Sequence, residues 1–352
     1  MSSKYPIILI GPYPPLIGGV STHLFRALPL LIKDGHKASV ISVKRTDSKD
    51  PSVSYIPALL LPFYLFVQPK SIVHFHVDSL SHLLLSAMLK LRHKTFLTVH
   101  NNRYPTTMES GSFATQVKWR CLSTFTRIIC VNSDTQTYLA HKLTNIFKDV
   151  VPAFLPPTDI DEDSIKEIKK WGSQFKFVLS GYAYRLSFYE DEDLYGIDMM
   201  IALVNRMVSE QINVGLILLI NLEENAYLEK LKREITRLNL QDNINLVDIN
   251  QGIDAVALWK YSDVYLRPTN TDGNSISVME ALHMGTTVVA SDCVERPEGC
   301  VLFKNRDADD FGDVVVGVLD EGVTQRGGFN IHPELHFCIY ADLSRSISSA
   351  NN

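Results

Sequence analysis

Short apolar runs alternate with longer amphipathic stretches along the whole chain. The apolar runs predict β-strands at 6–10, 38–43, 71–77, 95–100 and 127–132, and again at 175–180, 214–221, 244–247, 263–267 and 287–291. Between them, apolar residues recur at the spacing of one helix face, as in 20–33 and 275–283. Strands and helices that alternate in this way are typical of parallel sheets built from β–α–β units, so we predict an α/β fold.

The chain has 352 residues, more than one domain usually contains, and a proline-rich acidic stretch at 152–163 interrupts the pattern near its middle. We therefore predict two Rossmann-like, doubly wound domains, an N-terminal one at 1–155 and a C-terminal one at 156–352. In such sheets ligands bind at the carboxyl ends of the strands. The expected binding site is an interdomain cleft onto which those ends open.

Cysteine usage and the apolar segments favour a cytoplasmic protein. Five cysteines are scattered without a C-x-x-C pair, which indicates reduced thiols rather than a disulfide or zinc framework. The apolar start at 7–10 is too short for a signal peptide and predicts the first strand. The longest apolar run, 56–67, contains two prolines and is too short to cross a bilayer. We expect a protein that is soluble or peripheral to a membrane.

The net charge of −5 conceals an asymmetry between the two halves. Residues 1–150 carry 17 Lys and Arg against 7 Asp and Glu, whereas the remainder carries 17 against 32. A basic half favours a negatively charged partner, either nucleic acid or an anionic membrane surface, unless the difference is incidental. We expect no nucleic-acid binding, because the basic residues are dispersed and no segment interleaves them with aromatic residues.

The segment 267–292 carries the clearest functional signal. A strand end leads into a loop with Asp272 and Gly273, a helix opens at Asn274 and Ser275, and Glu280 follows about one turn later. A helix N-terminus presents unpaired N–H groups and a positive dipole end, which suit a phosphate. An ionised carboxylate only accepts hydrogen bonds and suits sugar hydroxyls. The combination predicts a nucleotide-sugar site, although an ordinary strand–helix turn with a polar cap has the same outline.

The loop 11–20 follows the first predicted strand and opens the first helix. Its glycines, Gly18 and Gly19, would let a ligand approach the backbone at the helix start. The loop lacks the G-x-G-x-x-G spacing of dinucleotide-binding folds, so a simple turn remains an alternative.

Three histidines and one arginine lie on or after predicted strands. His74 and His76 alternate on one strand, and no third ligand follows at metal-binding spacing, so we expect no zinc. His100 ends the next strand, where a functional and a structural role are both open. Arg185 follows the first strand of the second domain and could clamp a diphosphate by bidentate hydrogen bonds, or simply lie on the surface.

Together these residues resemble the retaining glycosyltransferases of family 4, which have the GT-B fold. The resemblance covers nearly the whole chain and is most specific in the C-terminal part. The family's mark is two glutamates separated by seven residues, and Asp272 and Glu280 occupy those positions. The other matching positions are the Gly18-Gly19 loop with His23, Gly35-His36, His100 and Pro297-Glu298.

The resemblance implies a role for each candidate residue. Glu280 would hold the ribose hydroxyls of the donor nucleotide, and His100 would lie beside the donor sugar. Arg185 would neutralise the charge of the leaving group. Gly18 and Gly19 would bring backbone N–H groups to the diphosphate, so that donor binding closes the cleft. The transferred sugar and its diphosphate would contact a single short segment, formed by Asp272, Gly273, Asn274, Ser275 and Ile276. Family members usually need no bound metal, so no cofactor is expected.

Two positions depart from the family's pattern. The first acid of the pair is Asp272, one methylene shorter than glutamate. The family also usually places a lysine before the glycine that this chain has as Gly196, and Tyr195 stands there instead. One diphosphate clamp is therefore missing, and Arg185 or Lys304 would have to compensate.

We therefore expect an enzyme that transfers a hexose or N-acetylhexosamine, with retention, from a UDP- or GDP-linked donor. The acceptor would be a saccharide or a lipid pyrophosphate in the synthesis of a bacterial surface polysaccharide such as O-antigen or capsule. The basic N-terminal half and the apolar stretch 59–67 indicate peripheral binding to the inner membrane face. A GT-B-fold nucleotide-sugar epimerase and a non-catalytic two-lobed sugar-binding protein remain alternatives.

Overall fold

The computed structural model describes residues 5–14, 18–100, 108, 111–147, 149–157, 159–272, 275–322 and 339–340. The chain forms two compact units. Unit 1 comprises the described residues up to Pro156 together with Ile339 and Tyr340, and unit 2 begins at Pro157. The boundary lies one residue from the one we predicted, but Ile339 and Tyr340 belong to unit 1 rather than to a C-terminal domain 156–352.

Unit 1 contains the strands β1 (Ile7–Gly11), β2 (Ala38–Ser42), β3 (Val53–Tyr55), β4 (Ile72–Phe75), β5 (Lys94–Val99) and β6 (Arg127–Cys130). Its described helices are α1 (Gly19–Lys33), α2 (Leu61–Val67), α3 (Leu80–Leu89), α4 (Phe113–Leu122) and α5 (Ser133–Ala140).

These strands form one parallel sheet in the order β3-β2-β1-β4-β5-β6. Alternate residues of β1 enter two different cores, Ile8 and Ile10 on one face of the sheet and Ile7 and Leu9 on the other. The continuous apolar run of β1 follows from burial on both faces, which is usual for a parallel sheet.

Unit 2 contains the strands β7 (Phe177–Ala183), β8 (Phe188–Tyr189), β9 (Glu192–Asp193), β10 (Val214–Ile220), β11 (Ile244–Asp248), β12 (Val264–Arg267), β13 (Thr287–Ser291) and β14 (Cys300–Phe303). Its helices are α6 (Lys166–Gly172), α7 (Ile197–Ser209), α8 (Ala226–Arg237), α9 (Ala255–Tyr261), α10 (Ile276–His283) and α11 (Ala308–Asp320).

The large sheet of unit 2 is also parallel, in the order β11-β10-β7-β12-β13-β14, and β8 and β9 form a small separate hairpin. Counted along the chain, both large sheets have the third-second-first-fourth-fifth-sixth order of Rossmann folds. The predicted fold class, two Rossmann-like α/β domains, is therefore confirmed. In each sheet the strand order reverses between the first and fourth strands, where ligands bind in such folds.

Two sequence-based expectations concern the membrane and the thiols. Among the helices that the structure describes, none has the length and apolar character needed to cross a bilayer. Four cysteines fall within the described ranges, Cys121, Cys130, Cys293 and Cys300, and all four are free thiols.

Candidate functional site

In unit 2, Asp272 lies in the loop after β12, at the point where the strand order reverses. Its carboxylate accepts two hydrogen bonds from Arg267, from Nε at 2.9 Å and from Nη2 at 3.1 Å. Arg296 Nη1 donates a third at 2.8 Å, and Thr269 Oγ1 donates a fourth at 3.3 Å. The side chains of Arg267, Arg296 and Asp272 are 9%, 2% and 9% exposed. Two guanidinium groups thus share one carboxylate in a nearly dry environment.

The charged groups of this cluster determine the protonation states of Asp272 and Arg267. Burial alone would raise the pKa of Asp272, but the guanidinium groups of Arg267 and Arg296 outweigh it and hold that pKa below its ordinary value. Burial would conversely lower the pKa of Arg267, and the Asp272 charge raises it instead. The cluster therefore carries two positive charges and one negative charge at neutral pH.

The Asp272 carboxylate is occupied mainly by protein groups. An ionised carboxylate offers about four acceptor positions, and the hydrogen bonds from Arg267, Arg296 and Thr269 use most of them. Asp272 therefore already binds several protein donors, and the sugar contact that the resemblance implied for it stays a prediction. Its direct effect is to fix the two guanidinium groups in position.

Tyr195 occupies the position where the family usually has a lysine, and it packs against this cluster. The Arg267 guanidinium carbon lies 5.2 Å from the centroid of the Tyr195 ring, a cation–π distance. The next residue, Gly196, has φ 66°, and a Cβ there would overlap the carbonyl oxygen of Pro268. Only glycine lets the start of α7 approach the loop after β12 so closely. Positive charge at this point comes from Arg267, a residue to which we had assigned no role.

Glu280 lies on α10 at the fifth position of the helix, close to its start as predicted. The residue is 6% exposed, and its Oε2 accepts a hydrogen bond from Trp259 Nε1 at 3.2 Å. Ser275 and Ile276 precede it and are half-buried, and Ser275 occupies the N-cap position without a side-chain capping bond. A buried carboxylate and a helix start are therefore adjacent, as the sequence predicted. Gly273 and Asn274 lie outside the described residues.

The two cations that we expected to compensate for the missing lysine differ in their surroundings. Arg185 follows β7 and is exposed. β7 pairs directly with β12, so Arg185 and Asp272 follow neighbouring strands. Lys304 follows β14, two strands away at the sheet edge, and its Nζ lies 3.6 Å from Asp307. Of the two, only Arg185 lies at the reversal of the strand order.

In unit 1, the strand order reverses beside the start of α1. Gly18 is the N-cap residue, with φ 172° and ψ 159°, and Gly19 begins the helix. Among the described residues, a Cβ on Gly18 would meet only Ser21 Oγ, at 3.9 Å, and the extended backbone there does not require glycine. No side chain caps the helix start within the described residues. Its first N–H groups suit an anion.

Three histidines from three elements converge next to this helix start. His23 comes from α1, His76 follows β4 and His100 follows β5, and their ring centroids are 5.1–5.3 Å apart. His76 Nδ1 and His100 Nε2 share a hydrogen bond of 3.0 Å. His23 Nδ1 donates to the carbonyl oxygen of Ala153 at 2.6 Å. Burial lowers the pKa of His23 to about 4, against the opposing effect of that carbonyl, so the ring is neutral.

This cluster corrects one premise of the sequence argument. We expected no third ligand near His76, but one ligand atom each of His23, His76 and His100 lies within 4.8 Å of the others. The fold brings His23 and His100 next to His76, although both are far from it in the sequence. His74, in contrast, is used structurally, because its Nδ1 and Nε2 pair with Tyr340 Oη at 2.5 Å and with Thr98 Oγ1 at 2.8 Å.

A cleft of about 470 Å³ opens beside His76 and His100 in unit 1, bordered by Val20 of α1 and by Asp78. Cavities of several hundred Å³ hold small ligands in proteins. The cleft thus places His100, as predicted, at a carboxyl end of the sheet with room for a ligand.

Comparisons with known proteins bear on the family and the fold of this chain. The family described as Glycosyl transferases group 1 matches residues 187–321, which is most of unit 2 and less than half of the chain. A sequence comparison with curated proteins finds no match. The matched stretch includes Asp272 and Glu280 but begins after Arg185.

Several solved structures share the fold. The chain is similar to Anabaena Alr3699/HepE in complex with UDP-glucose, with a TM-score of 0.66 and 17% identity over 91% of each chain. It is similar to the catalytic domain of starch synthase IV from Arabidopsis thaliana bound to ADP and acarbose, with a TM-score of 0.67 and 12% identity over 98% of this chain and 100% of that chain. The sucrose-phosphate synthase from Thermosynechococcus elongatus has a TM-score of 0.65 and 16% identity, covering 99% and 100%.

At these identities the likeness shows the fold, which is GT-B. The fold and the family match over unit 2 together support a GT-B glycosyltransferase.

Proposed function

We propose that this protein transfers a sugar from a nucleotide-sugar donor, and that unit 2 holds the nucleoside diphosphate. The observation that carries the proposal is the arrangement at the strand-order reversal of unit 2. Asp272, in the loop that leads into α10, joins Arg267 at the end of β12 to Arg296 after β13, and this buried cluster has one excess positive charge. Helix α10 carries the buried Glu280. A diphosphate needs positive charge and N–H donors, and a ribose needs an acceptor.

Each residue of unit 2 has a distinct part in this proposal. Glu280 accepts the ribose hydroxyls, while the start of α10, with Ser275 and Ile276, binds phosphate through its N–H groups. Arg267 and Arg296 supply the charge that the family's lysine would give, and Arg185 adds to it. Asp272 is a positioning residue, because without it two buried guanidinium groups would repel each other. Charge held in place in this way stabilises a departing diphosphate without reorganisation.

We propose that unit 1 contributes Gly18, Gly19 and His100. Among the described residues nothing near Gly18 excludes a side chain, and a ligand that approaches the backbone there would account for the glycine. His100 borders the cleft, and its pairing with His76 fixes the orientation of its ring. The resemblance to family 4 implies that His100 lies beside the donor sugar.

The finer features of the proposal come from the resemblance to family 4. They are transfer with retention, a hexose or N-acetylhexosamine as the sugar, and UDP or GDP as its carrier. The acceptor is a saccharide or a lipid pyrophosphate in surface-polysaccharide synthesis, the enzyme acts in the cytoplasm at the inner membrane face, and it needs no metal. The complexes of Alr3699/HepE with UDP-glucose and of starch synthase IV with ADP and acarbose support a nucleotide-linked donor and a saccharide acceptor.

A thermal-shift panel with UDP, GDP and ADP tests the proposal. A ligand that binds only the folded protein raises the apparent melting temperature. We expect one diphosphate to do so, Glu280→Gln to reduce the response strongly at the same ligand concentration, and the exposed control Glu167→Gln to retain it. No response to any of the three would refute the donor site. Release of an isomerised nucleotide-sugar without acceptor would indicate an epimerase, and a response to free sugar alone would indicate a sugar-binding protein.

A further inference from the structure

Unit 1 exposes large apolar side chains on two neighbouring helices. Ten of the eighteen exposed large hydrophobic residues in the described part of the chain fall within 55–91. Leu59, Phe63 and Val67 are 84%, 74% and 74% exposed, and Leu91 is 89% exposed. Scattered exposed apolar residues are normal, but such a concentration marks an interaction surface. We call it the apolar face, formed by Leu59, Leu60, Phe63, Phe66 and Val67 with Leu84, Met88 and Leu91.

The apolar face is the outer side of helices whose inner side is already packed. In α2, Leu61 and Leu65 enter the core, while Phe63, Phe66 and Val67 point away from it. In and after α3, the exposed residues Leu84, Met88 and Leu91 recur every three or four positions. That spacing gives a single stripe along one helix side. Both helices are therefore apolar on two sides, and only one of these sides packs against the described residues of unit 1.

Hydrogen bonds from the side chains of His93 and Arg92 fix the backbone at the end of α2, beside the apolar face. The His93 ring accepts from the Ser71 N–H at 3.2 Å and donates from Nε2 to the Leu65 carbonyl at 2.9 Å. Burial lowers the pKa of His93, which keeps the ring neutral and able to accept. Arg92 donates to the Gln68 carbonyl from Nε and Nη2 and lies 5.6 Å from the Phe66 ring centroid. The end of α2 is thus fixed before any partner binds.

The charge around the face selects the partner. Residues 55–94 carry four basic side chains, Lys70, Lys90, Arg92 and Lys94, and one acidic side chain, Asp78. In a symmetric dimer through this face, the same basic residues would oppose each other. An anionic lipid surface offers both an apolar interior and a complementary charge.

We propose that the apolar face binds an anionic lipid bilayer, with α2 and α3 lying in the plane of the interface. Phe63, Phe66 and Leu91 insert among the acyl chains, and Lys70, Lys90 and Arg92 contact the lipid head groups. This binding mode needs no spanning helix. The proposal names the surface through which the protein would bind a membrane peripherally. It rests on the proposed function in one respect only, the assumption of a lipid-linked acceptor.

Vesicle co-sedimentation tests the proposal with matched variants. The full chain is mixed with phosphatidylcholine vesicles, or with vesicles that also contain about one third phosphatidylglycerol. We expect binding to the anionic vesicles, which Phe63→Ser/Phe66→Ser weakens by about tenfold or more. Lys70→Glu/Lys90→Glu should weaken it by a similar factor at low salt. The control Ile32→Ser/Leu302→Ser removes two exposed apolar residues elsewhere and should change binding less than about twofold.

Three results would overturn the proposal. They are no binding to either vesicle, equal binding by the Phe63→Ser/Phe66→Ser variant and the wild type, or a dimer that this double substitution converts to monomer without any vesicle binding. The thermal response of the same variants to nucleoside diphosphate is measured in parallel. Since the apolar face contains none of the residues proposed to bind the donor, that response should be unchanged. A failed membrane surface is therefore distinguishable from a failed donor site.

Discussion

The Asp272–Arg267–Arg296 cluster predicts a large effect for Asp272→Asn. The substitution keeps the shape of the side chain but leaves two guanidinium groups, 9% and 2% exposed, without a counter-charge. Removing one partner of a buried ion pair costs about 3–5 kcal/mol, and asparagine can still accept a hydrogen bond, so we expect about 3 kcal/mol. For a unit of this size each kcal/mol corresponds to about 2–4 °C, which predicts a fall of about 6–12 °C in its melting temperature.

The fluorescence of Trp171 and Trp259 measures this effect, because both lie in unit 2. The third tryptophan, Trp119, lies in unit 1 and is replaced by phenylalanine in all variants. Asp313→Asn serves as the control, since Asp313 also pairs with an arginine, Arg206, but is 69% exposed. Exposed pairs contribute about 0–1 kcal/mol, so the control should melt within a few degrees of the parent. A fall of less than about 2 °C for Asp272→Asn would refute the buried-cluster interpretation.

The pH dependence of the stability provides a second test of the Asp272 contribution. The Asp272 pKa is lower in the folded than in the unfolded chain, so its contribution is complete above the unfolded value, about 3.9. It is lost as the pH falls through the lower folded value. The difference between the parent and Asp272→Asn should therefore be constant from about pH 5 to 8 and shrink below about pH 4. A difference that shrinks around neutral pH would contradict the assignment to this carboxylate.

Three further outcomes follow from unit 1. Gly18→Ala should lower the melting temperature by only a few degrees, since its Cβ meets only Ser21 Oγ, at 3.9 Å, among the described residues, but should raise the KM for the donor by about tenfold or more. An unchanged KM in steady-state assays would refute a ligand at this backbone. His76→Phe removes the nitrogen that pairs with His100, and should lower kcat by about tenfold while leaving the Kd of the nucleotide unchanged; unaltered kcat would show that the pairing is only structural. Dialysis against EDTA should leave turnover unchanged, whereas loss of activity restored by Zn²⁺ would assign a metal to His23, His76 and His100.

The alternation of strands and helices was predictable from the sequence, because it depends on local apolar periodicity. Helix α2 was not predicted, since two prolines in 56–67 obscured it. Pro62 is tolerated because it lies in the first turn of the helix. The packing of Ile339 and Tyr340 in unit 1 depends on a contact with His74, more than 260 residues away in the chain. No local pattern carries that information.

The candidate site likewise contains residues that local sequence patterns reveal and residues that only the fold brings together. Glu280, Ser275 and Asp272 were recognisable because their spacing is local. Arg296 approaches Asp272 only through the pairing of β12 with β13, which brings distant residues together. One signal was available for Arg267. An arginine at the end of a buried strand must find a counter-charge, and the nearest acid that follows it is Asp272.

Isothermal titration of nucleoside diphosphates into the wild type and Glu280→Gln tests the donor site most directly. We predict that UDP or GDP binds the wild type and that Glu280→Gln binds it at least about tenfold more weakly, through the loss of a charged acceptor for the ribose hydroxyls. Equal affinities for the two proteins, or no heat from either nucleotide with the wild type, would contradict a donor site built on Glu280.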